Sequence, residues 1–193
     1  MDSERLMMGA PIVAIDFKLA SAADLVGIAT LFESTFSDSE NAEEGLLIGK
    51  LAKGLIETTP VDEISVFTAL DKGKVVGCII FTRLWFGADE RQVYLLSPVA
   101  VSSDQQGIGI GTRLISFGLR TLRESGIDIA VTYGDPDYYK RVGFKPIGLD
   151  VIPAPLPLEQ PHGWMVQSLT DAAIYPFDGP ARCADALNNP AYW

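Results

Sequence analysis

Three glycines alternate in the segment Gln105-Gln106-Gly107-Ile108-Gly109-Ile110-Gly111-Thr112. Glycine at this spacing lets a backbone approach a ligand closely and adopt conformations closed to other residues. Successive N–H groups can then turn one way, toward an anion. A β-branched strand pattern precedes the loop and a helical pattern follows it. The helix adds unpaired N–H groups and the positive end of its dipole. Binding of a diphosphate through backbone amides is the chemistry this arrangement suits. A tight strand-to-helix turn alone would need only one glycine. A P-loop requires Gly-Lys-Ser/Thr where Gly111-Thr112-Arg113 stands. The dinucleotide fingerprint also fits poorly, because its third glycine would fall at Thr112. Asp128 has the spacing of that motif's acidic residue but opens a strand instead of ending one.

With Gln106, Gly109 and Gly111 in place, the segment resembles the Arg/Gln-x-x-Gly-x-Gly/Ala motif of the GNAT acetyltransferases. Tyr139-Lys140-Arg141-Val142-Gly143-Phe144 resembles that family's later Tyr-x-x-x-Gly-Phe element. The resemblance covers about residues 12–170. It implies a mixed α/β fold of GNAT type, a mostly antiparallel sheet flanked by helices with a splayed central strand pair. It implies acetyl-CoA as cosubstrate, with Val99, Ala100 and Val101 as the strand whose backbone pairs with the pantetheine arm. The phosphates then fall to Gln106, Gly107, Ile108, Gly109, Ile110, Gly111 and Thr112, and Tyr139 protonates the departing sulfur. The chain departs from the family in two places. Gln106 and Ile108 stand where many members carry cations, so backbone amides must hold the phosphates. Tyr94-Leu95-Leu96-Ser97-Pro98 offers no carboxylate where many members carry a glutamate.

Acyl transfer from a thioester to an amine needs the amine deprotonated, N–H donors for the tetrahedral oxyanion, and stabilisation of the leaving thiolate. Pro98 lies inside a strand-like run, where proline implies an edge or a bulge. A bulge would free the N–H of Val99 to meet the thioester carbonyl. Asp135 is a good N-cap and Pro136 a good first residue for a short helix that carries Tyr139. Tyr138 lies about 100° round that helix and is expected to point elsewhere. Candidate bases are Glu33, Asp38, Glu40, Asp89, Glu90 and a backbone-held water, and the sequence does not choose among them. The acceptor expected is a small-molecule or peptide amine. The alternative is a non-catalytic acyl-CoA-binding or sensing module, because fold does not fix function.

The elements that must position these groups follow from pattern. Residues 12–17 read as a strand. Ser21 reads as the N-cap of a helix running to about Phe36, and a second helix spans about 42–56. Residues 64–70 and 74–84 flank Asp71-Lys72-Gly73 as a hairpin. A strand at 92–101, a helix at 107–125, a strand at 127–133 and a short helix at 136–142 come next. Strands at 144–148 and 164–169 close the series. In the longer helix Arg113, Ser116, Arg120, Arg123 and Glu124 share a polar stripe, and Ile110, Leu114, Ile115, Phe117, Leu119 and Leu122 fill the remaining arc. This order predicts an α/β sheet of mixed direction. Residues 151–163 carry four prolines and read as an extended loop.

The chain of 193 residues reads as a single domain, with an acyltransferase core at 12–170 and a tail at 171–193. The aromatic tail is expected to dock on the body or on a second subunit, the latter giving a homodimer. Hydrophobic residues at 48% supply a proper core. The formal net charge of −10 speaks against nucleic acid and mildly favours a cationic substrate. No apolar run reaches the length of a membrane span, and Met1-Asp2-Ser3-Glu4-Arg5 opens no signal peptide, so a cytoplasmic location is expected. His162 stands alone, and Cys78 and Cys183 are far apart, so no metal is expected.

Overall fold

The computed structural model describes residues 14–22 and 24–193. The strand expectation at Ile12 and Val13 lies outside them. The chain forms β1 (Ile15–Leu19), a 3-10 turn (Asp24–Gly27), α1 (Ile28–Ser39), α2 (Ala42–Thr58), β2 (Ile64–Asp71) and β3 (Lys74–Phe86). It continues through β4 (Val93–Val101), α3 (Ile110–Glu124), β5 (Ile129–Tyr133) and α4 (Pro136–Tyr139), which runs on into a 3-10 turn (Lys140–Val142). Two-residue β6 (Lys145–Pro146), β7 (Trp164–Ser168) and β8 (Ala181–Arg182) complete the elements used below. The sheet order is β1-β2-β3-β4-β5-β7-β6. Its described pairings are antiparallel except β4 with β5.

Local chemistry explains most boundaries. Lys72 (φ 49°) and Gly73 (φ 83°) make a two-residue turn of the type that matches strand twist, so β2 and β3 form the expected hairpin. Asn41 caps α2 by accepting from Glu43 and Glu44 N–H, each at 3.0 Å. Ser21 does not cap α1. Its N–H and hydroxyl donate to the Asp24 carboxylate at 2.7 and 2.6 Å, and Lys18 approaches the same group at 2.8 Å. That knot winds the first turn as 3-10, and α1 begins only after Gly27.

Successive residues of β3 face opposite sides of the sheet. Cys78, Ile80 and Leu84 pack with Ile28, Phe32, Leu51 and Leu55 of α1 and α2. Ile79 and Phe81 pack with Leu114, Ile115 and Leu119 of α3. The tail lies on the α1–α2 side. Phe177 stacks on Phe86 with centroids 4.2 Å apart, and the buried Trp193 ring donates to the Leu187 carbonyl at 2.8 Å.

The helices α1 and α2 approach closely because Gly45 and Gly49 line their contact. A Cβ at Gly45 would overlap the Glu33 carbonyl and the Ser37 N–H, both backbone groups. Gly45→Ala should therefore destabilise the fold by about 1–3 kcal/mol, the usual cost of overpacking. A urea titration checks this, and an unchanged midpoint would mean that the helices yield freely.

Candidate functional site

The strands β4 and β5 run together from the pair Val93↔Ile129 to the pair Leu96↔Thr132, then part. The Thr132 hydroxyl donates to the Leu96 carbonyl at 3.1 Å, at the root of the split. On its other side β4 pairs Leu96 with Phe81 and Val99 with Ile79, so β4 carries one extra residue between these pairs. That is a β-bulge at Ser97-Pro98, whose peptide is cis. Past the split, one edge of β4 has no strand partner among the described residues.

Alternation fixes which groups face that edge. Ser102 N–H donates to Val76 on the β3 side at 2.8 Å. Strand polar groups alternate in side, so Val101 and Val99 present theirs to the open edge. The Val101 carbonyl is already engaged there, accepting from the Gln106 amide at 3.0 Å. Gln106 thus ties the glycine loop to the strand.

The gap opens into a cavity of about 650 Å³. Ser97, Val99, Ala100 and Val101 form its β4 wall. Tyr139 lies opposite, with its ring against Phe144 at 5.8 Å and Tyr138 at 5.2 Å. Gly134 admits that ring, since a Cβ there would stand 2.9 Å from Tyr139 Cε2. Burial pushes the Tyr139 phenol up to about 12, the Thr132 hydroxyl draws it partly back, and Tyr138 and Asp135 push it further up.

The glycine loop adjoins this cavity, sharing Val101, Gln106 and Tyr138 as lining. Gly107 (φ 77°) and Gly109 (φ 82°) take the left-handed region, as a loop that turns its amides inward requires. The helix α3 begins at Ile110, later than the pattern suggested, because Gly109 is its N-cap. The N–H groups of Gly109, Ile110, Gly111 and Thr112 have no backbone acceptor among the described residues. Ile108 projects into solvent.

Two expectations need correction. Tyr138 does not point away from the site, since its ring meets that of Tyr139 edge to face and both line the same cavity. Its hydroxyl fills the space that a Cβ at Gly111 would occupy. The loop itself carries no cation, as its residues imply, but backbone amides are not alone at its cavity, because Arg141 lines it beside Thr112. Arg141 follows Tyr139 by two residues, and that proximity was the available signal. The helix α1, from whose region three of the candidate bases come, supplies a wall of the cavity through Thr35, Phe36 and Ser39. Among the described residues, no cluster of three His, Cys, Asp or Glu is placed to hold a metal.

Comparison with known proteins agrees with this geometry. Residues 25–144 match the acetyltransferase (GNAT) family model. The uncharacterized N-acetyltransferase YjhQ of Escherichia coli strain K12 is 34% identical over 174 residues, 88% of this chain and 92% of that one. The structure of the Escherichia coli acetyltransferase YhbS in complex with CoA aligns with a TM-score of 0.79 at 24% identity, covering 94% of this chain and 96% of that one. A Brucella melitensis acetyltransferase in complex with acetyl-CoA aligns with a TM-score of 0.70 at 24% identity, covering 91% and 99%.

Proposed function

The chain belongs to the GNAT acetyltransferase family, and from that premise we propose that it moves an acetyl group from acetyl-CoA to a primary amine of a small molecule or peptide by direct attack. One observation carries the reading. The open edge of β4, with its bulge, faces Tyr139 across a gap continuous with the unpaired amides of the glycine loop. The residues fit a CoA thioester. The loop amides of Gly109, Ile110, Gly111 and Thr112 suit the diphosphate, and Val99, Ala100 and Val101 suit the pantetheine arm.

In the reaction the amine nitrogen bonds to the acetyl carbon. The carbonyl oxygen gains charge, which Val99 N–H stabilises from the open edge. The C–S bond then breaks, and the Tyr139 hydroxyl donates to the sulfur as it leaves. The amine proton needs an acceptor, and the candidate carboxylates differ in what already holds them. Asp38 accepts from the Ser103 hydroxyl at 2.6 Å. Asp89 is held by Arg91 at 2.6 Å. Glu33 sits where α1 meets Gly49 of α2. Glu90 does not line the cavity, and Glu40 does. Asp135 joins it on the wall, although its carboxylate also caps α4. Among the described residues this wall carries two carboxylates and no lysine or arginine, which favours a cationic acceptor.

The test is thiol release from acetyl-CoA with primary amines of each charge class. Diamines should be used better than amino acids of similar size. Glu40→Gln should raise KM for a diamine about two- to fivefold, the range for an exposed ion pair, and leave CoA affinity unchanged. Binding of acetyl-CoA with no release for any amine would instead support a sensing module.

A further inference from the structure

A second cavity, of about 440 Å³, lies on the outer face of α3 and shares Thr112 and Arg141 with the glycine-loop cavity. Arg113 and Arg120 line it together with Arg141, and Ser116 lies between them. Acidic residues outnumber basic ones in this chain, 25 to 15. Guanidinium groups should therefore find carboxylates easily. Arg91 pairs with Asp89 and Arg123 with Asp171. None of the three cavity arginines forms an ion pair among the described residues, and neither do Arg83 and Arg182 at Trp85, but only these three are gathered in one cavity. Arg113 and Arg120 instead sit over the rings of Phe17 and Phe117, at 4.9 and 5.4 Å from their centroids. Three unpaired guanidinium groups beside two half-buried aromatic rings suit a phosphate monoester attached to a base.

We propose that this cavity is a second phosphate site, taking the 3′-phosphate of the CoA nucleotide and making the chain selective for CoA over dephospho-CoA. The inference rests on the donor reading above. The diphosphate occupies the loop amides, which carry no formal charge. The terminal monoester has the higher charge density and goes to the arginines. Thr112 and Arg141 stand at the junction of the two sites, where the ribose joins the two phosphate groups.

Calorimetry on the full chain with CoA, dephospho-CoA and adenosine 3′,5′-bisphosphate tests this. CoA should bind about 10- to 100-fold more tightly than dephospho-CoA, the gain from one or two charge-assisted hydrogen bonds. That preference should shrink as salt rises. The variant Arg113→Gln/Arg120→Gln, which leaves Arg141 of the glycine-loop cavity in place, should lose most of the preference while binding dephospho-CoA as the wild type does. Adenosine 3′,5′-bisphosphate should bind the wild type more tightly than that variant. The single change Arg141→Lys, which keeps charge, should retain part of the preference. Equal affinity of the wild type for CoA and dephospho-CoA overturns the proposal, as does a variant that weakens both alike. Failure of both to bind would remove the donor reading itself, a different result from equal binding.

Discussion

Tyr139→Phe should lower turnover by about 10²–10³ while CoA affinity stays within about twofold. The substitution keeps the ring, which packs against Phe144 and Tyr138 and fills the space over Gly134. Only the hydroxyl is lost, and it matters mainly as the C–S bond breaks. Its acidity decides the size of the effect. Burial holds this phenol at about 12, above the ordinary value of 10.0. A free thiol titrates near ~8.5, so complete transfer of the proton to a thiolate is uphill by about three units. The hydroxyl therefore acts largely as a hydrogen-bond donor to developing charge. Removing one such donor costs about 10²–10³ in rate, or about 3–4 kcal/mol. The measurement is kcat with a working amine, under conditions where chemistry limits. Near-full kcat in the variant would remove Tyr139 from the mechanism.

A raised phenol also carries a sign in pH. The folded protein keeps Tyr139 protonated until pH approaches about 12, whereas an unfolded chain would begin to lose that proton near 10.0. The donor is thus present throughout the neutral and mildly alkaline range. Stability contributed by keeping it neutral is complete below pH 10.0 and is lost as pH rises through about 12. Tyr138→Phe is not an inert control, because the Tyr138 hydroxyl packs against Gly111 of the loop. Its removal should disturb donor affinity more than kcat, the opposite division from Tyr139.

This division shows which parts of the site were legible in the sequence. Features set by neighbouring residues were readable. The Lys72-Gly73 turn, the Pro98 bulge, the Asp135 cap and the left-handed glycines all follow from backbone sterics over a few positions. Features set by distant chain segments were not. The Tyr138 hydroxyl meets Gly111 only because α4 is folded back against α3. Glu40 reaches the cavity only because α1 crosses the sheet above the open edge of β4, and no local pattern separates it from Asp38 or Glu33. The start of α1 was misplaced for the same kind of reason. Ser21 has the right residue type for a cap, but Asp24 competes for its N–H and hydroxyl together with Lys18.

Gly109→Val should weaken CoA binding by about 10²-fold or more, and the fold should survive it. A Cβ at Gly109 would meet only Thr112 Oγ1, at 3.8 Å, so the interior is not disturbed. The conflict is with the backbone. Gly109 has φ 82°, where a residue with a Cβ pays about 1–2 kcal/mol and a β-branched one more. The loop relieves that strain by turning out of the left-handed region, which swings the N–H groups of Gly109 and Ile110 away from a common point. Charge-assisted hydrogen bonds from those groups to phosphate are worth about 1.5–3 kcal/mol each, so two of them account for the expected loss. Gly109→Ala separates the causes, since it carries the backbone strain without the bulk and should fall between wild type and Val. Ile108→Ala, at the exposed neighbour, should change affinity less than about threefold, because no backbone constraint sits there. Calorimetry with CoA, beside a denaturation curve showing that each variant is folded, reads the result. A folded Gly109→Val variant with wild-type affinity would show that these amides do not hold the phosphates.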